Sequence, residues 1–189
     1  MVKVTLGEIK EKTLALIEEL NPDSEQLTDD PDIAAKQNGV INQVMYELAR
    51  IKKIPKYVEM EVTKGQIIDF LSLYEKCNRY VYQFERVKGV DHEFKANGTL
   101  IKILETGTAE IDFFVFPERI TAQTQDDYVF ELSQDVLEIM PYGVAADLLK
   151  SDISTEYGSI YATRYETMLQ RLDPRNNVAS IYIEGGVAL

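Results

Sequence analysis

The segment 157–172 carries Tyr157, Ile160, Tyr161, Arg164, Tyr165, Met168, Leu169 and Leu172 at steps of three and four, which sets them on one face of an α-helix. A helix with that stripe must bury it against something. The apolar stripes that can receive it lie at the other end of the chain. Thr5 and Glu8 have capping-box spacing, and Leu6, Ile9, Thr13, Leu16, Ile17 and Leu20 follow at helical intervals as far as Asn21-Pro22, predicting a helix over about 5–20. Asp29 or Asp30 before Pro31 is a natural N-cap, and Ile33, Gln37, Ile41, Val44, Met45, Leu48 and Ile51 predict a second helix over 31–52. The expectation is a helical body built from both ends of the chain.

Between those ends the hydrophobic period changes from helical to two. Val58, Met60 and Val62 alternate with Glu59, Glu61 and Thr63 as in a half-buried strand. Lys64-Gly65 turns the chain, Ile67–Leu71 is expected to pair back on that strand, and 72–79 reads as irregular. Tyr80, Tyr82 and Phe84 read as one face of the next strand. Segment 91–95 follows Gly89, Asn97-Gly98 is a hairpin signal, and Thr99–Glu105 and Ala109–Phe116 complete about six short strands around Thr106-Gly107-Thr108. Pro117 ends this pattern, and 118–131 is a polar connection. Residues 133–138 predict a turn of helix. Pro141 opens a helix over about 141–150, and Ser151 or Asp152 caps the last helix, which stops near Asp173-Pro174. The fold class expected is α+β: a bundle of about four helices with an inserted antiparallel β-subdomain. The divisions are 1–55 and 131–174 for the body, 56–130 for the insert and 175–189 for a C-terminal extension.

Composition narrows function mainly by exclusion. The 189 residues carry 32 acidic and 20 basic side chains, net −12. The excess is spread: seven basic against ten acidic residues in 1–55, nine against thirteen in 56–130, four against nine in 131–189. No clustered cationic footprint for gripping phosphates is present. His92 is the one histidine and Cys77 the one cysteine, which leaves no histidine metal site, no intrachain disulfide and no thiol pair. The N-terminus lacks the apolar core of a signal peptide, and no run of about 18 apolar residues could cross a bilayer, so the reading is an intracellular protein without a membrane partner. Neither a phosphate-binding loop nor a nucleophile–base pair is recognisable. The expectation is a protein that is not an enzyme and needs no cofactor or metal.

Pro141, Ala145, Leu148 and Leu149 form the phrase P-x-x-x-A-x-x-L-L, and Tyr161, Tyr165 and Leu169 form Y-x-x-x-Y-x-x-x-L. In this order, after two helices and a β-insert, they resemble the head-to-tail adaptor proteins of tailed bacteriophages and prophages, also termed connector, gateway or head-completion proteins. The resemblance covers roughly residues 3–172. It implies a virion structural protein of the neck, present in the bacterial host cytoplasm during assembly. Its copies would form a ring beneath the portal protein and join it to tail or neck proteins. DNA would pass through that ring without specific binding. An acidic lining suits such a channel, because carboxylates repel phosphate.

The C-terminal extension is the candidate docking element. Ile181 and Ile183 fall on one side of a strand-like VASIYIE segment and Tyr182 on the other, so Val178, Ile181, Tyr182 and Ile183 are candidate interface residues. A different reading takes the β-insert as a ligand- or carbohydrate-binding module of a phage tail protein, motivated by the Tyr80/Tyr82 stripe.

Overall fold

The computed structural model describes residues 4–19, 31–150 and 155–172. Among these are five helices of two or more turns, α1 (Leu6–Glu19), α2 (Pro31–Ile51), α3 (Phe70–Cys77), α5 (Met140–Leu149) and α6 (Thr155–Leu172), and one single-turn helix, α4 (Gln134–Leu137). Six strands lie between α2 and α4: β1 (Ile54–Val62), β2 (Ile67–Asp69), β3 (Val81–Lys88), β4 (His92–Lys95), β5 (Leu100–Ile103) and β6 (Gly107–Val115). They form two antiparallel sheets ordered β1-β6-β3 and β2-β5-β4. The mixed α+β class is as the sequence indicates.

The body is organised around α5. Met140, Pro141, Gly143, Val144, Ala145, Ala146 and Leu148 are all buried, and α1, α2 and α6 pack around them. A helix apolar on nearly every side is one enclosed by neighbours. The α6 stripe is narrower than its spacing predicts: Tyr161, Tyr165 and Leu172 are buried, whereas Ile160 is exposed. Arg164 is also outside the core, with its guanidinium 4.5 Å from the ring centroid of Tyr142. Tyr161 and Tyr165 reach past α5 on different sides. The Tyr161 hydroxyl donates to the Leu16 carbonyl on α1 at 2.5 Å, and the Tyr165 hydroxyl donates to Glu47 Oε2 on α2 at 2.9 Å. Burial and the Glu47 carboxylate push the Tyr165 phenol well above its ordinary value.

The capping box closes as the sequence predicts: Thr5 N–H donates to Glu8 Oε2 and Glu8 N–H to Thr5 Oγ1. The start of α1 is fastened to the connection before α4, through Leu6 N–H to Tyr128 O and Gly7 N–H to Asp126 O, both at 2.9 Å, and a Lys10–Asp126 ion pair. The same connection is held to α2 by buried Asn42. Its Oδ1 accepts from Ile120 N–H at 2.7 Å while its Nδ2 donates to Ile120 O at 2.8 Å. One side chain thus satisfies both backbone polar groups of buried Ile120. Asn42→Leu is expected to lower stability by about 2–3 kcal/mol through the two orphaned groups, measurable as a fall in urea midpoint at unchanged slope. An unchanged midpoint would show that water replaces the amide there.

Four features of the β-region differ from the sequence reading. Segment 72–79 is not irregular, because Asp69 caps α3, its carboxylate accepting from Ser72 N–H at 2.8 Å, and Asn78 ends it in the left-handed region. β2 stops at Asp69 and does not pair back on β1. Gly65 N–H donates to Ile103 O and Ile103 N–H to Gln66 O, so the chain leaving the turn is captured by β5 in the other sheet. The Asn97-Gly98 hairpin forms with a longer loop, Ala96, Asn97 and Gly98 all at positive φ between paired Lys95 and Leu100. Finally, β3 carries irregularities at Val81/Gln83 and Phe84/Arg86 that break the alternation. Tyr82 and Phe84 therefore part company. Tyr82 stacks with Phe116 and donates to Ala49 O at the end of α2, while Phe84 packs between Phe70 and Phe94.

Candidate interaction surfaces

The outer face of the β1-β6-β3 sheet carries its charged side chains in rows across the strands. Register sets Tyr57, Asp112 and Arg86 in one row across the three strands, and Glu59, Glu110 and Lys88 in the next. Arg86 grips Asp112 through Nε at 3.1 Å and Nη2 at 2.8 Å, and Lys88 pairs with Glu110. The Arg86 hydrogen bond holds the Asp112 carboxyl below the usual carboxylate range, with Lys88 adding to it. On the β1 side this compensation stops. Glu59 stands directly opposite Glu110, an unfavourable pairing of like charges. Tyr57, in the neighbouring row, is 72% exposed.

β1 is also an open edge. All nine of its residues pair in unbroken register with β6, and no strand among the described residues pairs with its other side. Pro55 fits there, since a strand proline needs a side free of ladder bonds. The far side of β3 is likewise without a strand partner.

Two apolar grooves lie on the body. One, of about 780 Å³, runs between α1, α5 and α6 and is floored by Leu16, Pro141, Tyr142 and Met168, with Lys12 and Glu138 at its rim. The other, of similar volume, opens where α2 meets β1 and is lined by Ile54, Pro55, Phe114, Val129 and Leu137. Beside it, Arg79 bonds Glu118 at 2.5 Å and Glu131 at 3.2 Å, while Lys56 lies 3.6 Å from Glu131. Burial disfavours the Arg79 charge, but these two carboxylates outweigh it and raise its pKa. Burial, then Glu118 and Glu131, push the neighbouring Tyr128 phenol up to about 12.

The sequence-predicted interface residues Val178, Ile181, Tyr182 and Ile183 lie outside the described residues. The Tyr80/Tyr82 stripe that motivated a ligand platform does not exist as one surface: Tyr80 is exposed against Tyr74 of α3, and Tyr82 is committed to the α2 junction. His92 sits edge-on to Phe94, with Nδ1 3.2 Å from Val90 O, and Cys77 Sγ lies 3.6 Å from Arg79 O. Among the described residues no group of three or more His, Cys, Asp or Glu side chains could hold a metal ion, and no helix is long and apolar enough to cross a membrane. Sequence reasoning passed over Tyr57, Glu59, Arg86 and Lys88. Their signal was the two-residue spacing within each pair, whose meaning depends on strand register. No family model matches the chain, and no curated protein matches it.

Proposed function

We propose that this chain is a head-to-tail adaptor of a tailed bacteriophage or prophage, forming a ring under the portal protein and extending the channel through which DNA leaves the capsid. One observation carries the reading. α1 and α2 from the front of the chain and α5 and α6 from its rear enclose one core, with a six-strand unit between them, in the order the family resemblance requires. The residues of the two resembling motifs fall at the centre of that core or on its margin: Pro141, Ala145, Leu148, Tyr161 and Tyr165 are buried, and Leu149 and Leu169 partly so. The acidic balance of −12 supports passage of DNA in preference to gripping it.

The portal and a tail or neck protein are the partners under this reading, and Val178, Ile181, Tyr182 and Ile183 supply the portal contact. Deleting residues 176–189 is expected to leave the melting temperature nearly unchanged and to abolish decoration of purified portal rings, viewed by electron microscopy. A full-length chain that fails to decorate portal rings of its own phage would overturn the adaptor assignment. Undiminished decoration by the truncated chain would remove only the C-terminal segment from the contact.

A further inference from the structure

Resting on the ring reading, we infer that neighbouring copies join edge to edge, β3 of one copy adding as a parallel strand to β1 of the next. Tyr57 and Glu59 then receive Arg86 and Lys88 of the adjoining copy.

The geometry on the two edges is matched in direction, spacing and charge. β1 and β3 both run antiparallel to β6, so they are parallel to one another. A copy rotated about a ring axis presents its β3 to β1 in that same sense. Tyr57 is level with Arg86, and Glu59 with Lys88, through Asp112 and Glu110 respectively. Tyr57 and Glu59 are two positions apart on β1, as Arg86 and Lys88 are on β3, so one placement satisfies both rows. In the assembled row Lys88 lies between its own Glu110 and the neighbour's Glu59, which relieves the like-charge opposition that β1 carries alone. Arg86, 61% exposed at its side chain, meets the exposed Tyr57 ring, an arrangement favourable to a cation over an aromatic face.

Two other occupants fit the β1 edge less well. A second β1 paired in-register about Glu59 would oppose Glu59 to itself. The chain's own segment 178–184 contains Glu184 and no cation, so it cannot answer Glu59. Because the two edges differ, the contact is heterologous, and repeated copies close into a ring when the rotation per step permits.

Carbodiimide coupling, which joins a carboxylate to a lysine amine in direct contact, tests the pairing on the full chain at high concentration. Within one copy Glu59 and Lys88 sit two strand spacings apart on one face, about 9–10 Å, so the coupling is run on an equimolar mixture of 15N-labelled and unlabelled chain, in which a Glu59–Lys88 linked peptide with one labelled and one unlabelled half must come from two copies. The expected result is that linked peptide, together with concentration-dependent sedimentation. Glu59→Lys alone and Lys88→Glu alone each set like charges across the contact and are expected to weaken association by about tenfold or more. An equimolar mixture of the two variants restores opposite charges at every step and is expected to recover association. Glu59→Lys also removes the Glu59–Glu110 opposition, so its melting temperature should not fall, and its association defect is then no folding defect. Absence of the linked peptide, or failure of the mixture to recover, overturns the edge pairing. Portal decoration is read separately: decoration without the linked peptide leaves the adaptor reading standing, and the linked peptide without decoration leaves the edge pairing standing.

Discussion

Tyr165→Ala is expected to destabilise the protein by about 3–4 kcal/mol, within the range for truncating a large buried aromatic, and to lower the melting temperature by about 10 °C for a chain of this size. The ring lies across α5, where a Cβ added to Gly143 would come within 2.7 Å of Tyr165 Cε2, and its hydroxyl spans the body to Glu47. Removing it therefore empties the seam between α5 and α6 and releases α2 in one step. Tyr165→Phe separates these contributions, because it keeps the ring and removes only the hydrogen bond to a charged group, at a cost of about 1.5–3 kcal/mol.

Alkaline titration checks the same contact with a defined sign. An unfolded tyrosine ionises near pH 10, and burial together with Glu47 raises Tyr165 above that in the folded chain. Above about pH 10 the unfolded state gives up its proton first, so this contribution to stability is intact below that pH and declines as pH rises further. Tyr128, raised to about 12 by burial and by Glu118 and Glu131, acts in the same direction. The Phe variant should lose stability less steeply than the parent between pH 10 and pH 11. Equal slopes would mean that Tyr165 contributes nothing to the alkaline transition.

What the sequence conveyed about this fold divides according to the range of the forces involved. The Thr5/Glu8 box, the α2 stripe and the proline at the start of α5 are local, and each is where its spacing places it. α3 was locally encoded too, by Asp69, Ser72 and Asn78. Its eight residues are few enough that the apolar pattern of Phe70, Leu71 and Leu73 also suits the end of a strand. The division of six strands between two sheets was not legible, because it is decided by which distant carbonyl captures the chain after Gly65. The bulges in β3 are likewise tertiary. They let Val81, Phe84 and Val87 all reach the core at steps of three, which strict alternation forbids. The candidate edge inherits that difficulty, since Glu59 reads as an ordinary wet-face residue until register sets Glu110 across from it.

Gly89→Ala is the second substitution expected to have a large effect, about 3 kcal/mol, and its cost arises in two separable parts. Gly89 holds φ +88, a left-handed conformation that costs a residue with a side chain about 1–2 kcal/mol. Gly65 and Gly98 share that conformation, with φ +89 and +83, yet a Cβ at either meets nothing within 4 Å. Alanine at those two turns should therefore cost only the backbone share. At Gly89 the added carbon would press well inside van der Waals contact of the Thr108 carbonyl oxygen at the start of β6, a backbone atom that cannot swing aside as a side chain can. Relief requires β3 and β6 to separate just beyond Lys88 and Glu110, adding an overpacking cost of about 1–3 kcal/mol. The same separation disturbs the charged rows that hold Arg86 and Lys88 in position. Denaturant melts of the three alanine variants compare the two costs directly. Gly89→Ala matching Gly65→Ala would mean that the β3–β6 approach is looser than its geometry implies. A larger loss confined to Gly89→Ala identifies Thr108 as the obstacle.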